Sequence, residues 1–325
     1  MKRDTILKNE LVVFLLAMVC CLLWGSAFPC IKIGYKLFDI TSDDTWSQIL
    51  YAGMRFFLAG MIAISIGSIT AKKLLLPKGA AWVTVAKLSL FQTILQYLFF
   101  YIGLANTTGV KASIIEGVNV FVAILVASLG FRQERLTARK MVGCLAGFAG
   151  VVLVNLGGGG LSMTFRLTGE GFIFISTVAY AISSALLKRY SQKENTVMLS
   201  GWQFAFGGFV MMLVGFAGGG RIEGLRNLVQ GSTGNSYLAA EGLLMLIYLG
   251  FVSAVAYSLW GLLLKYNQVS KISVYGFMNP VFGVVLSALL LSESNASAGV
   301  GRIAAALGLV GVGILIINTS GGSKA

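Results

Sequence analysis

Residues 110–130 read VKASIIEGVNVFVAILVASLG, and residues 270–290 read SKISVYGFMNPVFGVVLSALL. Each is an apolar run of the roughly 20 residues that a helix needs to cross a bilayer. They lie 160 positions apart and share Lys111 with Lys271, Ser113 with Ser273, and Asn119 with Asn279. The same offset relates Phe91 and Tyr97 to Phe251 and Tyr257. Trp24 and Lys32 match Tyr180 and Lys188 at 156, Gly53, Phe56 and Gly60 match Gly201, Phe204 and Gly208 at 148, and Gly147 and Gly150 match Gly308 and Gly311 at 161. The offset changes only in loops, as in a duplicated unit with loop insertions. Helices rich in Gly and Phe inflate single matches, so the argument rests on their order across five helix pairs.

Composition agrees. Of 325 residues, 57% are hydrophobic and 11% charged, with a mean hydropathy of +0.84. A soluble domain carries about 25% charged residues, so the chain reads as an integral membrane protein. Ten apolar segments are long enough to span: 11–34, 49–69, 82–105, 110–130, 139–156, 169–188, 197–217, 238–264, 272–291 and 299–318. Five spans per half is an odd number, so the second half enters the membrane upside down. The expected fold is all-α, with ten transmembrane helices built as two inverted five-helix repeats over residues 1–160 and 161–325. Inverted repeats are the common architecture of alternating-access transporters.

Lys2, Arg3 and Lys8 before an apolar run resemble a signal peptide, but no small-residue cleavage site follows, and the first helix is expected to be retained. The linker Gly218–Tyr237, rich in Gly, Ser and Asn, is expected to be flexible. Of 25 Lys and Arg residues, sixteen fall on one side of the spans, seven on the other and two within spans. The positive-inside rule then puts both termini in the cytoplasm of a multi-pass protein of the cell membrane. The charge of +13 serves topology, with no nucleic-acid partner implied. There is no histidine, which excludes histidine base catalysis and His-ligated metals. Cys20, Cys21, Cys30 and Cys144 lack metal or disulfide spacing and read as small core residues. No GxxxxGK[ST] loop marks an ATPase, and neither a cofactor nor a metal is expected.

Several short motifs carry a family likeness. They are Trp24-Gly25-Ser26-Ala27-Phe28-Pro29 with Lys32, Arg55-Phe56-Phe57-Leu58-Ala59-Gly60, Glu134-Arg135-Leu136-Thr137 before Gly143, and Asn279-Pro280-Val281-Phe282. In order and spacing they resemble the drug/metabolite transporter superfamily, in its ten-helix EamA-type branch, over nearly the whole chain. The resemblance implies a substrate cavity lined by helices 1, 3, 4, 6, 8 and 9. The family moves amino acids, other metabolites and drugs. Two positions depart from its pattern. Val120 stands where the first repeat usually has proline, so helix four is expected to be less kinked than helix nine. Glu116 replaces a small or hydroxyl residue.

Glu116 is the most informative side chain. It lies about 7–8 Å into helix four, five residues below Lys111. An ionisable group inside a span costs a few kcal/mol even on forgiving scales. A structural ion pair with Arg55, expected at similar depth, would compensate it. A substrate-amine or proton site is the functional reading, and snorkelling to the interface is the third. Asn119 sits one turn later on the same face, and its mate Asn279 follows Tyr275 by four residues. Helix three offers Gln92 and Gln96 with Tyr97 and Tyr101 beside them. Helix eight offers Ser253, Tyr257 and Trp260, and Trp24 and Tyr180 are mates on helices one and six. An aromatic cavity with a few polar tips suits an amphipathic metabolite or an organic cation. Each of these residues also has a plain packing role open to it.

Lys32 and Lys188 end their helices on opposite sides and are read as snorkelling, with an anion-attracting gate as the alternative. Gly143, Gly147 and Gly150, with Gly301, Gly308 and Gly311, are expected to pack helix five against helix ten, within the chain or across a homodimer. The function expected is secondary transport of a small polar or amphipathic metabolite across the lipid bilayer. Amino acids come first and export is placed ahead of import. The alternatives are a polyamine or drug exporter, a lipid-carrier flippase and, least favoured, a membrane enzyme or scaffold.

Overall fold

The computed structural model describes residues 6–155, 165–222, 236–291 and 300–319. Each of the ten apolar segments is helical: α1 (Glu10–Leu37), α2 (Thr45–Ala71), α3 (Ala81–Ala105), α4 (109–130), α5 (Ala138–Asn155), α6 (Leu167–Tyr190), α7 (Thr196–Ala217), α8 (Ser236–Tyr266), α9 (269–291) and α10 (Val300–Asn318). No strand occurs among the described residues. Eight of these helices, all but α5 and α10, are long and apolar enough to cross a membrane. The molecule's outside carries exposed Leu15, Leu22, Ile69, Phe209, Leu213, Phe216 and Leu244, an apolar surface that lipid accepts and water does not. Most of the linker singled out above, at 223–235, lies outside the described residues, as do the first five and last six positions.

Short polar side chains start the helices. Asn9 Oδ1 accepts from the backbone N–H of Leu11 and Val12, and Asn195 Oδ1 from those of Val197 and Met198. These satisfy donors that a helix N-terminus otherwise leaves unpaired.

Between apolar helices in lipid, close packing does the work that hydrophobic burial does in water, and glycine permits it. The α2–α7 pair shows this. A Cβ on Gly53 would stand 2.6 Å from Met212 N, and one on Gly60 2.6 Å from Gly201 O. From the other side, a Cβ on Gly201 would stand 2.7 Å from Ile64 Cγ1, and one on Gly208 2.8 Å from Gly53 O. The backbones therefore touch antiparallel, Gly53 beside Gly208 and Gly60 beside Gly201. The α5–α10 pair is similar, with Gly143 against Gly313 O and Gly150 against Ala306 O. Gly301, Gly308 and Gly311, expected on this seam, face open space. The contacting stripe of α10 is Ala306, Val310, Gly313 and Ile317, and the expected glycines fall on the other side of the helix.

The remaining helices form two groups. α1 packs on α8 and α9, while α6 packs on α3 and α4. Three of these helices are irregular. Ser89–Leu95 of α3 is a π-helical turn. α4 runs α-helical over Gly109–Gly117, breaks at Val118 and resumes at Asn119–Leu125. α9 runs α-helical over Val269–Ser273, 3₁₀ over Val274–Phe277, then α-helical from Met278. Val118 is the mate of Met278, the residue that follows the 3₁₀ stretch of α9, so the two helices are interrupted at neighbouring repeat positions although only α9 carries a proline. The interruption is a single residue in α4 and four residues in α9. Pro280 lies in the first turn of its new helical piece, and its missing N–H leaves the Gly276 carbonyl, inside the 3₁₀ stretch, without its helical donor.

Candidate functional site

Between the two groups lies a cavity of about 1150 Å³, counting its open mouth. α1, α2, α3, α4, α6, α8 and α9 all reach it. Of the residues singled out from the sequence, Trp24, Arg55, Gln96, Tyr97, Glu116, Asn119, Tyr180, Tyr257 and Asn279 line it. The irregular stretches aim many of them. The π turn of α3 shifts the helical phase just before Gln96 and Tyr97, and the breaks in α4 and α9 fall immediately before Asn119 and Asn279.

Repeat mates meet at the centre. Tyr97 and Tyr257 share a hydrogen bond of 2.6 Å between their hydroxyls. Phe56 and Phe204 stack at 5.4 Å with an interplanar angle of 8°. Trp24 stands edge-on to Tyr257 and to Trp260, each at 5.0 Å. Such arrangements satisfy the ring quadrupoles and hold the wall of the cavity. Several polar atoms around it have no partner: Trp24 Nε1, Gln96 Oε1, Asn119 Oδ1, Ser273 Oγ and Asn279 Oδ1. Buried polar groups are rarely left so. Here they converge on one space.

Glu116 and Arg55 are the charged lining residues, and they form no ion pair. This corrects the charge-partner reading of Arg55. Helix α2 begins at Thr45, four residues before its apolar run, so Arg55 lies about 15 Å in and Glu116 about 10 Å in. The guanidinium instead sits 4.3 Å from the centroid of Phe56 and 5.9 Å from that of Tyr97.

Tyr275 was expected at the site and is not there. Its ring packs against Phe14 and its hydroxyl accepts from Asn318 Nδ2 at 2.9 Å, turned toward α10. Gln92 and Ser253 are buried outside the cavity, whereas Tyr101 and Trp260 line it. The Gln92–Gln96 stripe assumed an unbroken α-helical period, which the π turn upsets. Lys188 does not snorkel: its ammonium donates to Leu264 O and Asn267 O at the end of α8. The four cysteines are buried as expected, with Cys21 Sγ donating to Tyr275 O.

Three carboxylates organise the ends of the bundle: Glu170 and Glu10, which the sequence reading passed over, and Glu134, which it noted only in a family motif. Glu170 accepts from Thr107 Oγ1 at 2.8 Å, Lys111 Nζ at 2.9 Å and Arg166 N at 2.7 Å. Glu10, the first residue of α1, pairs in turn with Lys271, the repeat mate of Lys111, at 3.3 Å. Glu134 accepts from Ser270 Oγ at 2.7 Å and Ser270 N at 3.1 Å, and pairs with Lys140. It thus fastens the α4–α5 turn to the start of α9.

The EamA-like transporter family matches the chain twice, at residues 11–156 and 167–319. A protein of Archaeoglobus fulgidus named as an uncharacterized transporter is 27% identical over 281 residues, 86% of this chain and 89% of its own. The uncharacterized inner membrane transporter YedA of Escherichia coli is 23% identical over 84% of this chain and 81% of its own length. A solved crystal structure covers 96% of this chain and 98% of its own with a TM-score of 0.71 at 17% identity, a likeness of fold.

Proposed function

The chain belongs to the EamA-like transporter family, and from that membership we propose that it is a secondary transporter of a small polar or amphipathic metabolite, amino acids first, with the central cavity as its substrate site. One observation carries the reading: a cavity between two helix groups gathers an unpaired carboxylate, two asparagines and an aromatic wall at a depth where lipid would exclude them. Glu116 is the group for a substrate ammonium or a coupling proton. Asn119 and Asn279 offer amide contacts from facing broken helices.

Alternating access by two inverted repeats fits the packing. A residue can touch its own mate only on a two-fold axis, and Tyr97–Tyr257 and Phe56–Phe204 do so. In the pairs Lys111–Glu170 and Lys271–Glu10 the lysines are repeat mates, and each carboxylate lies in the first turn of the leading helix of the other half. They also support a division into moving parts. The first ties α4 to α6 and the second ties α9 to α1, so each fastens the leading helix of one half onto a group from the other half. We take α1, α8 and α9 as one rocking unit and α3, α4 and α6 as the other. α2–α7 and α5–α10 are the tight seams about which they tilt, and both α5 and α10 cross the membrane, making ten spans.

Lining residues Ala27, Phe28 and Ile31 have as mates Ser183, Ser184 and Leu187, which are buried. One end of the cleft is thus open along α1 and the equivalent end along α6 is packed shut. With the termini in the cytoplasm, as the basic-residue asymmetry favours, this is an outward-open state.

Counterflow in proteoliposomes tests the proposal. Vesicles loaded with one amino acid should take up its labelled trace faster than protein-free vesicles, across a panel extended to amines and organic acids. Glu116→Gln should abolish uptake with an unchanged melting temperature, since no ion pair is broken. Uptake at the protein-free rate for every compound overturns the reading.

A further inference from the structure

Resting on that transporter reading, we infer that Arg55 is the carboxylate subsite of the cavity. The transported molecule then carries an acid group and an apolar body, for which an aromatic or branched amino acid is the simplest case. Arg55 is 5% exposed, makes no hydrogen bond or ion pair among the described residues, and its Nε is sealed from solvent without an acceptor. Arginine does not shed its proton, and a lone charge at this depth is costly. The faces of Phe56 and Tyr97 return only part of that cost.

The fold does not require a charge there. The repeat mate of Arg55, at the offset of 148 that relates Phe56 to Phe204, is Gln203. Gln203 is buried and its Oε1 accepts from Thr93 Oγ1 at 2.7 Å, while its backbone oxygen accepts from Ser89 Oγ at 3.0 Å. A neutral amide therefore packs at the equivalent place. The two halves share a backbone plan, but both charges of the cavity, Arg55 and Glu116, come from the first half.

The surroundings of Arg55 suit a carboxylate. The planar guanidinium matches the two oxygens of an acid in parallel hydrogen bonds. In the Tyr97–Tyr257 pair one hydroxyl proton is used between the rings, so the other is available to a ligand oxygen. Trp24, Phe100, Tyr180 and Trp260 supply the apolar wall for the rest of the molecule. Glu116 faces the same space and complements an ammonium.

The test measures binding and counterflow of purified full-length protein with L-phenylalanine and L-leucine, each beside its amide and its decarboxylated amine. Wild type should prefer the acids over the amides by roughly 10- to 100-fold, the size of one charge-assisted contact. Arg55→Gln should erase that preference, while Arg55→Lys, which keeps the charge but loses the fork, should retain it with weaker affinity. The melting temperature without ligand checks that each variant folds. If Arg55→Gln does not fold, Arg55→Lys and Tyr257→Phe carry the test, and both must weaken the acids more than the amides. Equal handling of acids and amides by wild type, or a preference that survives Arg55→Gln, overturns the subsite while leaving the transporter reading in place. A wild type that moves none of the six compounds overturns the subsite whether or not other compounds are transported.

Discussion

At the scale of single residues, the contrast between Glu170 and Glu10 separates structural from cosmetic charge. Both side chains pair with a lysine, but the Glu170 side chain is 9% exposed and that of Glu10 is 78% exposed. Glu170 also holds Thr107 and the Arg166 N–H. Glu170→Gln leaves three donors facing an amide with one acceptor oxygen, and should cost about 2–3 kcal/mol. Glu10→Gln should change stability by less than about 0.5 kcal/mol, because an exposed pair gains little over hydration. Denaturation of the two purified variants checks this. Equal losses would mean that Glu170 is as well solvated as Glu10.

Among elements, the seams make opposite demands on glycine. Gly60 lies in backbone contact with α7, so Gly60→Leu must push α2 and α7 apart and should lower stability by more than about 3 kcal/mol or prevent folding. Gly308 has nothing within 4 Å, so Gly308→Ala should be neutral or stabilise by up to about 1 kcal/mol through helix propensity. Melting curves decide, and a Gly60→Leu protein as stable as wild type would remove the α2–α7 seam from its place as a fixed pivot. The ten helices were all legible from apolar length. Their ends were not: Thr45–Gln48 of α2 and Val269–Lys271 of α9 are too polar for an apolar window, and that offset misplaced Arg55 relative to Glu116. The π turn of α3 and the break at Val118 were also invisible, since neither leaves a proline in the sequence.

For the whole molecule, sidedness and access are the measurable quantities. The four native cysteines are buried, which leaves them shielded from an impermeant thiol reagent. Thr41→Cys, in the exposed turn between α1 and α2, should react from outside intact cells, and Gln192→Cys only after permeabilisation. Ile31→Cys, on the open arm of the cavity, should be protected when substrate is bound and the outer cleft closes. Leu187→Cys, at the shut end, should become reactive from the cytoplasmic side under the same conditions. Two positions that respond in the same direction would contradict alternation between the two ends.

Apolar run length alone sets the number and order of the helices, because a chain in lipid must satisfy its backbone internally and helices do so. The ordered repeat spacings alone point to two related halves. The distribution of Lys and Arg supplies a sidedness. The tertiary structure decides what the repeats cannot: which faces turn inward. Helical phase is lost at each π turn or break, so Gln96 enters the cavity and Gln92 does not, and Tyr275 turns to Asn318 although it lies four residues from Asn279. Separation in space likewise leaves Arg55 and Glu116 as two unpaired charges lining one cavity, since an ion pair depends on where α2 and α4 start and how far apart they pack.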